Sequence, residues 1–240
     1  MSSDNHNKHY VNEYGEEVLR ISQVIKTLAK DQLIMWAHML GWKRINYQQE
    51  LERTANIGTF AHAMIEQYYS DHEICCYDFD DCEVYRFSDQ QGAYNAAESF
   101  FKWLKKNERV YKVVATEKTL IGKNVGGTID CVIESPYNKD RVILIDYKTS
   151  SRIHFTHFLQ LSGYVTLYEE IYGPNTIDGI MVIRLDKKDG KSAEAKIIRR
   201  NDLEPYIECF KSLLTVATLS KALEHQFPWD AEKFTAKDFD

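Results

Sequence analysis

Residues 125–149 read VGGTIDCVIESPYNKDRVILIDYKT. Two apolar runs flank Ser135-Pro136-Tyr137-Asn138-Lys139-Asp140, where proline and asparagine mark a chain reversal. The stretch predicts two strands, Val125–Glu134 and Arg141–Lys148, joined as an antiparallel hairpin. With the turn centred on Asn138, Asp130 lies eight residues before the centre and Asp146 eight after. A regular ladder sets them opposite each other on one face, with Cβ atoms about 5 Å apart. Like charges that close repel, and a shared divalent cation is the usual reason a fold keeps them. Lys148 is two residues from Asp146 and shares its face, while Tyr147 points into the opposite layer.

Working outward, Val110–Ile121 has strand periodicity, and Gly122-Lys123-Asn124 is a turn, which completes a three-stranded meander. That register sets Glu117 roughly opposite Thr128, one pair along from Asp130; a slip of one residue would turn it to the other face. Upstream the spacing is helical. One pattern runs from Gln23 to Gly41, with Ser22 as N-cap and a break near Lys30–Asp31. Residues 46–56 are polar and partly helical; Gly58–Tyr69 and Gln91–Lys106 are two further helices. Downstream, a helix over Thr156–Tyr172 ends at Gly173-Pro174. Strands Asp178–Leu185 and Ala193–Arg199 then flank a charged turn, and a long helix spans Leu203–Glu224.

The expected architecture is α/β, with a helical N-terminal half. A central mixed sheet, the antiparallel meander plus further strands, is flanked by helices. One domain over 1–240 is expected: 1–17 flexible, 18–109 mainly helical, 110–200 the sheet core, 201–226 the C-terminal helix and 227–240 a polar tail.

Lys and Arg total 30 against 36 Asp and Glu, a net charge of −6. That disfavours a passive nucleic-acid binder with a uniformly basic surface, though not an enzyme that gathers cations around a carboxylate-rich site. No apolar run is long enough for a membrane helix, and the start lacks a secretory pattern. The five cysteines, Cys75, Cys76, Cys82, Cys131 and Cys209, form no CxxC pair. A disulfide scaffold, a zinc ribbon and an iron–sulfur cluster are therefore not expected, and a cytoplasmic setting is.

Two carboxylates and an ammonium on one face suit metal-assisted hydrolysis of a phosphodiester. Oxygen ligands hold Mg²⁺ or Mn²⁺, the cation polarises the phosphoryl group and acidifies a water, and the lysine stabilises developing charge. Taken singly, each of these residues is also an ordinary solvated strand residue. The setting carries the reading: Asp146 follows four apolar residues, and Gly126-Gly127 before Asp130 permits close approach of a substrate or chain. His62 and Glu66 stand one turn apart on a helix and would present a further nitrogen ligand, or simply a surface pair. Gln160 and Tyr164 share a face of the helix after Lys148. Lys43, Arg44, Arg152, Lys187 and Lys188 are candidate DNA contacts, with Trp42, Tyr47, Trp103 and Phe155 as aromatics near such basic runs.

The series Gly58-Thr59-Phe60-Ala61-His62 with Glu66, Glu117, Gly127-Thr128-Ile129-Asp130, Asp146-Tyr147-Lys148-Thr149 and Gln160-Leu161-Ser162-Gly163-Tyr164 resembles the PD-(D/E)XK nuclease superfamily. Within it, the series is most similar to the RecB-like branch that includes phage recombination exonucleases. The resemblance implies a restriction-endonuclease-like core and a metal-dependent exonuclease acting on DNA ends in recombination or repair. It implies Asp130, Asp146, His62 and the Tyr147 carbonyl as ligands of one or two Mg²⁺ or Mn²⁺ ions, with Glu117 beside a second ion or the substrate. Lys148 would be the catalytic lysine, Glu66 a support for His62, and Gln160 and Tyr164 groups that shape the site. It also implies DNA as substrate, a single-strand-annealing protein or a second copy of the chain as partners, and for a phage protein the host cytoplasm as location. A non-catalytic nucleic-acid-binding module and a metal-dependent hydrolase of nucleotides remain as rival readings.

Overall fold

The computed structural model describes residues 9–28, 31–71 and 87–224. It contains strands β1 (Tyr10–Val11), β2 (Glu17–Arg20), β3 (Val113–Ile121), β4 (Val125–Glu134), β5 (Val142–Lys148), β6 (Ile177–Arg184) and β7 (Glu194–Arg199). Its helices are α1 (Ile21–Lys26), α2 (Asp31–Trp42), α3 (Tyr47–Asp71), α4 (Phe87–Asn107), α5 (Phe155–Tyr172) and α6 (Glu204–Glu224). The strands form one mixed sheet in the order β1-β2-β4-β5-β6-β7, with β3 on β4 as well.

The hairpin register is the expected one. Cys131 pairs with Ile145 and Val132 with Leu144, a register that carries on to Asp130 opposite Asp146. β5 and β6 run parallel, because α5 supplies the crossover that a parallel pair needs. The apolar run at the start of β5 is buried on both sides. On one face, Ile129, Val132 and Leu144 pack against α1, α5 and α6. On the other, Cys131, Ile143, Ile145 and Tyr147 pack against α3 and α4. The result is a three-layer α/β/α sandwich.

Three sequence expectations change. Residues 10–17, expected to be flexible, carry β1 and join β2 in a hairpin, with Tyr10 paired to Val18; β2 then runs parallel to β4 through Leu19–Val125 and Arg20–Gly126. The first helix starts at Ile21 rather than after Ser22, because Gln23 accepts the Arg20 backbone N–H at 2.9 Å and caps the turn two residues earlier. The polar stretch 46–56 and the helix expected from Gly58 are one continuous helix, α3. The expected break near Lys30–Asp31 lies partly outside the described residues, and so do Cys75, Cys76, Cys82 and the tail from Phe227. Among the described residues, no helix is long and apolar enough to cross a membrane.

α5 is the central helix of its layer, with nine of its 18 residues buried. It ends where expected, at Gly173 with φ 98°, a backbone conformation glycine tolerates. A Cβ on Gly163 would stand 2.5 Å from the Phe210 ring and 3.0 Å from Ile21, so the absence of a side chain there lets α6 and α1 close on α5. Gly163→Ala should therefore destabilise the protein by about 1–3 kcal/mol through overpacking, read as a lower urea midpoint with an unchanged slope.

Candidate active site

Strand β4 has three neighbours. Gly126 pairs with Ile121 of β3 and with Arg20 of β2, and Cys131 pairs with Thr116 of β3 and with Ile145 of β5. β3 thus lines one edge of β4, while β2 and β5 share the other. Between them, Gly127–Asp130 has no ladder partner on that second edge among the described residues. The sheet forks at Asp130. The next backbone donor of β5, the Tyr147 N–H, turns to the Asp130 side chain and donates to Oδ2 at 2.7 Å.

Asp146 and Lys148 project together from the end of β5, as their spacing requires. The Lys148 ammonium donates to Asp146 Oδ1 at 2.6 Å. Asp146 is only 2% exposed, and its Oδ2 is buried with no hydrogen-bond partner among the described residues. A buried carboxylate oxygen left unpaired is costly and calls for a cation or an ordered donor.

Helix α3 brings His62 across the mouth of the fork. Its Nδ1 lies 3.6 Å from Asp130 Oδ2, and the ring meets the Tyr147 ring edge-on at 5.6 Å between centroids. His62, Glu117 and Asp130 each offer a ligand atom within 4.8 Å of the others. The side chains of His62 and Asp130 keep 25% and 15% of their surface open, enough for a cation to enter. Glu117 is not opposite Thr128 as expected. The β3–β4 turn is a two-residue reversal at Lys123-Asn124, closed by the Gly122 N–H on the Val125 carbonyl at 2.9 Å. Thr119 therefore pairs with Thr128, and Glu117, bracketed by the Thr116–Cys131 and Lys118–Ile129 pairs, falls beside Asp130. Its φ of 46° is left-handed, a strain of about 1–2 kcal/mol for a residue with a Cβ, held where its carboxylate joins the ligand set.

The electrostatics fit that set. Burial lowers the His62 pKa to about 4, helped by the Lys148 charge, so the imidazole is neutral near pH 7, as a metal ligand must be. Burial raises Asp146 to about 6 against the pull of Lys148, and it raises Asp130 as well. Burial alone would lower Lys148, but Asp146 and Asp130 outweigh it and hold the ammonium charged. One imidazole, crowded carboxylates and an orphaned buried oxygen make a donor set suited to a divalent cation.

The other expected residues divide. Tyr164 packs so closely that a Cβ on Gly127 would stand 2.6 Å from its ring. Burial and the nearby Asp130 and Asp146 charges raise its hydroxyl pKa, while a hydrogen bond with Gln160 opposes them. The glycine pair thus admits the protein's own tyrosines, since Tyr10 covers Gly126 in the same way. Glu66 is exposed. Four residues advance a helix by about 40° beyond a full turn, which carries Glu66 past His62 and away from the buried Ala61 and Ile65. Lys43 and Arg44 are exposed after α2, beside Trp42, which is 87% exposed. Arg152 is exposed in the loop after β5. Lys187 and Lys188 follow β6, their carbonyls held by Asn95 of α4. No hydrogen bond or ion pair joins the side chains of these five cations to Asp130 or Asp146 among the described residues. Trp103 packs on Phe100 and Tyr111, and Tyr47 on Trp36.

The sequence reading missed Tyr10, whose hydroxyl meets Thr128 Oγ1 at 3.1 Å, and Arg184, which pairs in register with Lys148. A two-residue strand leaves too little periodicity to detect, and the β5–β6 register depends on how the crossover packs.

The family model of the PD-(D/E)XK nuclease superfamily matches residues 36–234. A candidate exonuclease from Eubacterium rectale has a similar fold, with a TM-score of 0.53 at 10% identity over 93% of this chain and 85% of its own. The protein SSO0001 aligns over 65% of this chain and 74% of its own at 15% identity, with a TM-score of 0.29, too low to carry an argument. No curated protein matches the chain.

A divalent cation should stabilise the folded protein by mass action, about 2.7 kcal/mol at a hundredfold excess over Kd. Thermal melts with EDTA and with Mn²⁺ should show a higher midpoint with the metal. Glu117→Gln, which relieves carboxylate crowding, should raise the midpoint in EDTA and shrink the Mn²⁺ increment.

Proposed function

The chain belongs to the PD-(D/E)XK nuclease superfamily, and from that premise we propose that it is a metal-dependent DNA exonuclease, hydrolysing phosphodiester bonds from DNA ends in phage-type recombination or repair. The observation that carries this reading is the convergence of His62, Glu117 and Asp130 beside the buried Asp146–Lys148 pair. The similarity of the motif series to the RecB-like branch supports action on ends, and the exonuclease description of the Eubacterium rectale protein is in keeping with it.

His62, Asp130 and Asp146 would hold Mg²⁺ or Mn²⁺, one ion or two, with Glu117 and the Tyr147 carbonyl as further ligands. When bound, the cation neutralises phosphodiester charge and lowers the pKa of a water. The chain's own groups do the rest. Lys148, held charged by Asp146 at 2.6 Å, stabilises the negative charge that gathers on the phosphoryl oxygens in the transition state. Tyr164, with Gln160, closes the wall behind Gly127 and limits water. Lys43, Arg44, Arg152, Lys187 and Lys188 neutralise backbone phosphates, with Trp42 placed to stack on a base. A single-strand-annealing protein and a second copy of the chain are the partners consistent with that role.

The test is digestion of end-labelled linear duplex beside a covalently closed circle, with Mg²⁺, Mn²⁺ or EDTA. Linear DNA alone should be lost, only with metal, and Lys148→Ala should cut at least about 100-fold more slowly. Undiminished cleavage by folded Lys148→Ala, in a preparation free of host nucleases, would overturn the assignment; loss of the circle as well would replace exonuclease by endonuclease.

A further inference from the structure

We propose that Tyr111 is a positioning residue that sets the spacing of Asp130 and Asp146 from behind the site; this rests on the metal-dependent reading above. Tyr111 stands just before β3 and is 6% exposed. Its hydroxyl donates to Cys131 Sγ at 3.5 Å and lies 2.6 Å from the Tyr147 hydroxyl. A hydroxyl has one proton. With that proton on the Cys131 bond, Tyr147 must donate to Tyr111, and the chain runs Tyr147 to Tyr111 to Cys131. Cys131 and Tyr147 are 0% and 3% exposed, so neither exchanges these bonds for water.

The two ends of that chain are the immediate neighbours of the reacting groups. Cys131 follows Asp130 on β4, and Tyr147 lies between Asp146 and Lys148 on β5. The backbone ladder between these strands stops at Cys131–Ile145. Beyond it the strands are joined on the catalytic side by one bond, from the Tyr147 N–H to Asp130 Oδ2 at 2.7 Å. An Oδ2 engaged with a cation has less electron density for that N–H. The hydroxyl chain on the opposite face is then the cross-link that keeps the fork from opening. It also orients His62, whose ring rests on the Tyr147 edge. Phe100 and Trp103 hold the Tyr111 ring in place, at centroid distances of 6.0 and 5.3 Å.

Tyr111→Phe keeps the ring and removes both bonds. The measurements are Mn²⁺ binding by titration calorimetry and steady-state cleavage of labelled linear duplex. Mn²⁺ affinity and kcat should each fall about tenfold, the scale of outer ligand-support mutations, with KM for DNA unchanged, since Tyr111 touches no substrate. Cys131→Val, which removes only the acceptor, should give a smaller loss in the same direction, and it decides the matter if Tyr111→Phe does not fold. Mn²⁺ affinity and kcat within about twofold of wild type in the folded variants, or a loss confined to KM, would overturn the proposal while leaving the nuclease reading intact. Wild-type protein that neither binds Mn²⁺ nor cuts DNA would overturn both.

Discussion

Strand β4 must pair with two different partners along a single edge, and the geometry of the site follows from that constraint. β2 takes Val125 and Gly126, β5 takes Cys131 to Glu134, and four residues between them are left without a ladder on that side. A backbone N–H or carbonyl released from a sheet must find another partner. At Tyr147 the released N–H finds the Asp130 carboxylate, so the break in the sheet and the aim of the first acidic residue are the same event. The gap is also where α3 and α5 can both reach the strand ends, one bringing His62 and the other Tyr164.

Charge separates the roles within this cluster. Asp146 is almost fully buried and shares one oxygen with Lys148 while the other has no described partner. Asp130 and His62 stay partly open. The lysine therefore remains cationic inside a crowd of carboxylates, and the imidazole remains neutral beside them. A site of this composition holds excess negative charge until a cation arrives, and the strained backbone at Glu117 adds to what the surrounding fold must support. The apolar layers on both sides of β5 supply that support: they hold the strand ends rigidly enough that repulsion does not spread the carboxylates apart.

Legibility in the sequence was uneven. The β4–β5 register could be read because Asn138, with Pro136 marking the same turn, sits midway between two apolar runs, and strand pairing through such a turn admits few alternatives. The same logic misplaced Glu117, because a two-residue reversal at Lys123-Asn124 and a longer one look alike in composition but shift the register. The polar stretch before Gly58 hid the continuity of α3, since residues facing away from the sheet carry no apolar period. β1 falls in the stretch expected to be flexible because two residues carry too little periodicity to detect, and β2 leaves no local mark because its partner on β4, Val125–Gly126, lies more than a hundred residues away.

Sequence alone determined the α/β class, the opposed Asp130 and Asp146, the side shared by Asp146 and Lys148, and the helical placement of His62, Gln160 and Tyr164. All of these follow from local periodicity and from a single turn. Tertiary structure alone decided that Glu117 joins His62 and Asp130, that Glu66 turns to solvent, that Tyr10 and Tyr164 fill the space above the two glycines, and that Tyr111 links the strands from behind. Each of those depends on how separate elements pack and on where one strand leaves another. That information resides in the close-packed interior, not in the spacing of residues along the chain.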